Sequence, residues 1–494
     1  MTVVFADSWR PLVTFPDFQP VVNRYLGQNH DLGGAYAYLR THWWGFLDGK
    51  EEVYDRKMRQ DVLRDGRIIR KNVPPRRVWD LHANRVVPYW VFKRGDVEVL
   101  MWGISHAWMD EKDREDVWTP INGYEWPVPM PKDADLNHIR IEMLNLGAEY
   151  AWLDVLCLRQ KYAVREAHRE EDMRKEHLRV EEWKLDVPTI GYVYDSGAPV
   201  VCYLCGLGRP LSLTSGYFES DRCWFKRAWT LQEINPGCRV IIGGDTGNDI
   251  IRMEFQVLLR SLVVDSVEDT LAEMQRRLST NSMDKVAGLV YRLNTRYIPI
   301  YDSGQSEESA WEDLVQAMEY STRIRLFYCY PEPGDGNAYW YPSWTQVRNA
   351  EFISFEDDKW SAEVFRTERE DGQEPGTDWH EGPFINSATV RGLADSSNNE
   401  KRREGELVVK DDEGAPHKFK IAADHHYSIP DDDSYTLLGT GDAWYTWSYF
   451  WVVGKRRPDG MFEKLSVLEV ADKDDVYKLW KLGIIQGPTK TFLC

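Results

Sequence analysis

Residues 223–234, CWFKRAWTLQEI, carry three side chains able to do chemistry: the guanidinium of Arg227, the indole of Trp229 and the carboxylate of Glu233. Trp224, Ala228 and Leu231 recur at i, i+4 and i+7, Asp221 stands where a cap belongs, and NPG follows at 235–237, so the spacing predicts a helix. On such a helix Glu233 lies one turn beyond Trp229 and shares its face. A carboxylate beside aromatic rings can steady the positive charge that grows on a sugar as its glycosidic bond breaks, or orient the attacking water. Trp229 and Trp108 can stack a departing ring, with cation–π contact adding about 1 kcal/mol. Arg227 is able to fork onto a pyrophosphate or to hold the Asp154 loop by an ion pair. Plainer uses stand beside these: Glu233 can simply pair with Arg227, and Trp224, Trp229 and Trp152 can fill a core.

Two more stretches supply polar groups at the ends of apolar runs. GISHAW (103–108) offers Ser105 and His106, and WLDVLCLRQ (152–160) offers Asp154. Ser105 and Asp154 suit ribose hydroxyls, or else a turn and a helix cap; His106 is a switchable donor; Gln160 reads as a backbone clamp. Positioning them requires a frame. Residues 76–89 alternate like a hairpin arm, 97–110 read as a buried strand and 135–146 as a helix. Then come a strand at 147–160, a helix ending near Asp195, and strands around 200 and 238–244. This alternation implies a mostly parallel sheet with helices on its faces, whose ligands sit at the C-terminal strand ends. Residues 250–330 have helical periodicity. Beyond 339 the texture is short β-like runs, with a turn inside ELVVKDDEGAPHKFKIAA (406–423) and polar loops at 367–378 and 395–405.

The 494 residues call for two or three domains. A net charge of −19 argues against general affinity for nucleic acid or anionic membranes, yet permits a local basic pocket. The 22 Trp, 25 Tyr and 17 Phe are enough to line pockets as well as cores. The start of the chain lacks a signal-peptide pattern, no run approaches a membrane span, and seven scattered cysteines suit a reducing compartment, so a cytoplasmic protein is expected. Cys202 and Cys205 form a CxxC without a second ligand pair, and no metal or cofactor is expected. There is no glycine-rich phosphate loop and no GxSxG elbow.

Taken in order, the three blocks resemble the fungal heterokaryon-incompatibility (HET) domain. Its motif near ALSYxWG is similar to GISHAW, with Ser105, His106 and Trp108; its WIDxxCINQ to WLDVLCLRQ, with Trp152, Asp154, Cys157 and Gln160; its WFxRxWxxQE to WFKRAWTLQE, with Trp224, Phe225, Arg227, Trp229, Gln232 and Glu233. NSMDKVAGLVYRL (281–293) resembles its DKVYALLGL helix, and YPSW (341–344) its LPSW. His106 stands for Tyr, Trp108 is not followed by Gly, and Arg159 stands for Asn. The resemblance implies an α/β fold with a TIR/flavodoxin-like, mostly parallel sheet core and helical and β-rich C-terminal additions. The expected boundaries are an extension at 1–75, the HET (TIR-like) domain at 76–260, a helical region at 261–335 and a β-rich region at 336–494.

TIR domains that cleave NAD use a glutamate in a WCxxEL helix, so WTLQEI implies Glu233 as the catalytic carboxylate. Ser105, His106, Trp108, Asp154, Arg227 and Trp229 would then be substrate-binding. The implied role is self/non-self recognition and cell-death signalling with NAD as substrate, acting by self-association or with a second incompatibility protein. An assembly module without chemistry, or a cyclase or isomerase with an aromatic pocket, are the alternatives.

Overall fold

The computed structural model describes residues 31–42, 50–92, 100–162, 168–235, 238–262, 266–354, 362–367, 376–394, 402–440 and 449–494. The sequence expectations for the chain start, for 97–99, for the Pro236–Gly237 stop and for most of the 367–378 and 395–405 loops lie outside these residues. The protein is mixed α/β and divides into two compact units. One comprises Met1–Val263, Leu278–Gly288 and Tyr297–Ser303; the other comprises Val264–Arg277, Leu289–Arg296 and Gly304–Cys494. Residues 261–335 are thus shared between the units. Among the described residues no helix is long and apolar enough to cross a membrane.

The first unit is built on six strands: β1 (Arg77–Asp80), β2 (Arg85–Pro88), β3 (Met101–His106), β4 (Tyr150–Trp152), β5 (Val200–Tyr203) and β6 (Val240–Ile242). Their order is β6-β5-β3-β4-β1-β2. The pairs β6/β5, β5/β3 and β3/β4 are parallel, and the β1–β2 hairpin joins β4 antiparallel at the edge. Every residue of β3, β4 and β5 is buried, as expected of parallel strands covered on both faces. Between β3 and β4 the chain runs through the helix Leu136–Asn145, capped by the Asp135 carboxylate on the Asn137 amide. Between β4 and β5 it runs through Asp154–Cys157, Arg169–Asp186 and Gly191–Asp195. Gly103 in β3 lets the Tyr194 ring pack close, since a Cβ there would stand 3.0 Å from it.

The connection from β5 to β6 departs from the sequence reading. Residues 223–234 do not form one helix; they form two single 3-10 turns, Trp224–Lys226 and Trp229–Leu231. The backbone at Arg227 is extended and pairs with Leu278, whose carbonyl accepts from the Ala228 amide at 2.9 Å. The Thr230 hydroxyl then takes up the Trp224 and Arg227 carbonyls at 2.9 and 2.8 Å. Local side-chain bonding and a distant strand partner together outcompete helical periodicity here.

In the second unit the strands Asp378–Arg391, Arg403–Lys410, Pro416–Ala423, Phe462–Val470, Phe450–Arg456 and Asp432–Gly439 pair antiparallel in that spatial order. Asp432–Gly439 pairs back onto Asp378–Arg391, closing the ring. Alternate inward residues, among them Val390, Leu407, Ile421, Leu437, Trp451 and Leu468, fill its core. The turn read at 406–423 is a hairpin with Lys410 opposite Pro416, fastened by Asp411 accepting from the Glu413 and Ala415 amides.

Candidate active site

Connections leave β3 toward β4 on one side and β5 toward β6 on the other, so the crevice between the C-terminal ends of β3 and β5 is the switch point where open α/β sheets bind ligands. Ser105 and His106 are the last two residues of β3 and sit there, paired with Cys202 and Tyr203 of β5. The Ser105 hydroxyl donates to the Glu233 carboxylate and accepts the Trp224 indole N–H at 2.8 Å. All three side chains are buried, Glu233 at 9% exposure. The carboxylate of the third motif is therefore held against the strand end of the first.

His106 continues the line. Its Nε2 lies 2.8 Å from Asp154 Oδ1, and the Trp108 indole donates to Asp154 Oδ2 at 3.2 Å. The two rings stack at 5.6 Å. Burial by itself would lower the His106 pKa, but the charge and hydrogen bond of Asp154, with Glu233 behind, outweigh it and raise the value. The neighbouring carboxylates thus favour the protonated form of the imidazole. Asp154 opens its helix and accepts from the Val155 amide at 2.7 Å, while the Gln160 amide donates to the Asp154 and Leu158 carbonyls. The Asp154 carboxylate itself is taken by His106 and Trp108. Arg159, which stands where the HET pattern has Asn, pairs with Glu125 at 2.6 Å and Glu182 at 3.2 Å over the Trp126 ring.

A cavity of about 510 Å³ opens beside this array, within the usual range for small-molecule sites. Glu233, His106, Asp154, Trp108, Arg227 and Trp229 all line it, and so does Trp152, whose buried indole N–H has no hydrogen-bond partner among the described residues. Ser105 stands behind Glu233 rather than on the wall. Of the motif residues, Trp224 and Cys157 are core; burial pushes the Cys157 thiol up to about 12, so it is not a nucleophile. Phe225 stacks on Phe255 at 6.1 Å, and Gln232 is buried with its amide unpartnered among the described residues.

Sequence reasoning missed one wall. Asn281 Nδ2 donates to the Tyr301 hydroxyl and that hydroxyl donates to Asp284 Oδ1, both at 2.8 Å, and all three line the cavity. Burial raises the Asp284 carboxyl, opposed by hydrogen bonds from Tyr301 and Trp229 and by the Arg227 charge. The signal available was the DKV of 284–286, read only as a helix. Tyr194, Arg179 and Arg114 were missed as well, for they are brought in by packing and belong to no motif.

No protein-family model matches the chain, and no curated protein and no solved structure matches it significantly.

Proposed function

We propose that the first unit is a HET-type domain with a TIR/flavodoxin-like core, that it serves self/non-self recognition and cell-death signalling, and that its cavity cleaves NAD at the nicotinamide–ribose bond. The observation that supports this most is Glu233, buried, hydrogen-bonded to Ser105 at the strand-order switch and lining an aromatic cavity. In the reaction the C1′–N bond breaks, its electron pair goes to the ring nitrogen and nicotinamide leaves neutral. Water adds at C1′ and gives up a proton. Glu233 faces the growing oxocarbenium charge and receives or directs that proton. The leaving group needs no acid, so the roles left to Trp229 and Trp108 are stacking it and excluding water. Trp152 N–H is a donor still open to a ligand acceptor.

Arg114, Arg179 and Arg227 on the wall speak against a cyclase or isomerase of apolar substrates, because an apolar guest would strip water from their charges without replacing it. The test is incubation with NAD and mass-spectrometric detection of nicotinamide and ADP-ribose, comparing wild type with a folded Glu233→Ala variant. Release by the wild type alone is expected. If concentrated wild-type protein leaves NAD intact, the cleavage reading falls and assembly without chemistry takes its place.

A further inference from the structure

Next to the Glu233 cavity lies a second one of about 490 Å³, and the two share Trp108, Arg114, Arg227 and Thr280 as common wall. Its charged lining is Lys112, Arg114, Arg222 and Arg227 against Asp110 and Glu111. Four cations face two carboxylates in a chain whose net charge is −19, so the excess is local and opposite to the molecule's. Asp110 is engaged by Arg222, and Glu111 is almost wholly exposed and 4.0 Å from Arg114. Arg114 stands over the Trp108 ring at 5.0 Å, yet its Nε is buried and has no hydrogen-bond partner among the described residues. A guanidinium fixed on an aromatic face with an unspent N–H is shaped to receive an oxyanion.

Repulsion is the second sign. Burial lowers the pKa of Arg114, and the Arg222 charge adds to this against the opposing charges of Glu111, Asp116 and Asp110. Burial likewise lowers that of Arg227, helped by Arg222 and Arg114 and opposed by Asp284 and Glu233. Three guanidiniums have been gathered where they disfavour one another, a cost that a bound anion offsets. Neither Arg114 nor Arg222 belongs to any motif noted in the sequence.

We infer that Arg114, Arg222 and Arg227 form a pyrophosphate subsite, so that the ligand spans both cavities with its sugar at Glu233 and its diphosphate across the shared wall. This rests on the cleavage reading for the sugar end only; the subsite is tested without catalysis.

The probe is inorganic pyrophosphate, measured by calorimetry on the full chain. Wild type is expected to bind it, with affinity falling as salt rises, and Glu233→Gln to bind it equally well. The paired substitution Arg114→Gln with Arg222→Gln should weaken binding at least tenfold. Absence of binding to wild type, or binding untouched by the paired substitution in a variant of unchanged melting temperature, overturns the subsite. Should the paired variant not fold, the single substitution of the half-exposed Arg222, Arg222→Gln, decides: weaker pyrophosphate binding supports the subsite, and unchanged binding overturns it. The two readings fail separately. Pyrophosphate binding without nicotinamide release removes the cleavage and keeps the subsite; release with an unaltered KM in the paired variant does the reverse.

Discussion

His106 and His425 are both buried histidines, one in each unit, and their pKa values are shifted in opposite directions. His425 is pushed down to about 4 by burial; its Nε2 lies 2.7 Å from the Val467 carbonyl, and its Nδ1 accepts from the Tyr427 amide at 3.2 Å. A neutral imidazole satisfies both contacts. His106 faces a carboxylate instead of two backbone groups and is raised. Lys464 of the second unit follows His425: burial takes it down to about 7, and its Nζ donates to the Phe327 and Tyr330 carbonyls that end the helix Tyr320–Cys329. The difference teaches that the closed β-ring uses its interior polar groups to tie backbone, while the parallel sheet keeps charged ones beside a cavity.

Substitutions can break this contrast or sharpen it. The largest effect is expected of Glu233→Gln, a fall of about 10²–10³-fold in nicotinamide release, whereas His425→Gln should leave the rate unchanged; equal loss in both would erase the distinction. Next is the pH dependence of unfolding in the second unit. Unfolded Lys464 keeps its proton to about pH 10.5 and the folded residue only to about 7. Between these values the unfolded chain binds more protons, so stability rises with pH by roughly 1.4 kcal/mol per unit from this group. Lys464→Met should flatten that rise in denaturant titrations.

Smaller, and of opposite sign, is the first unit's dependence. A raised His106 pKa means that its stabilisation is complete below the unfolded value near 6.5 and is lost as pH climbs through the folded value. Asp154→Asn should cost about 2 kcal/mol at pH 6 and lower the imidazole titration seen by NMR; a charge-neutral site would show neither. Least is Trp224→Phe, which removes the indole bond to Ser105 and should cost about 1 kcal/mol in urea.

Much of the frame was legible because its signals are local. Apolar runs that end in polar residues gave β3 and the short β4, although the strand read over 147–160 ends at Trp152 and turns helical at Asp154–Cys157. The helix read near 135–146 is Leu136–Asn145. The three motif stretches do meet at one strand end. Less legible was anything set by a distant partner. The period of 3.6 in residues 223–234 is real, but Leu278 takes the backbone of Arg227 and leaves two turns instead of a helix. The wall of Asn281, Asp284 and Tyr301 gives no sign of facing Trp229 until the chain is folded. Alternation likewise marks the strands of the second unit without saying that Asp432–Gly439 returns to Asp378–Arg391.

That missing wall has a consequence for how the molecule is made. Residues 278–288 and 297–303 belong to the first unit, but a ribosome reaches them only after 264–277, which belong to the second. A nascent chain of 262 residues holds all six sheet strands and Glu233 but not Asp284 or Tyr301. Emerging domains fold as units from the N-terminus, so the sheet can assemble during translation while its binding chamber stays one-sided until the later segments are threaded in. A product truncated before residue 284 lacks the Asp284 and Tyr301 side of that chamber.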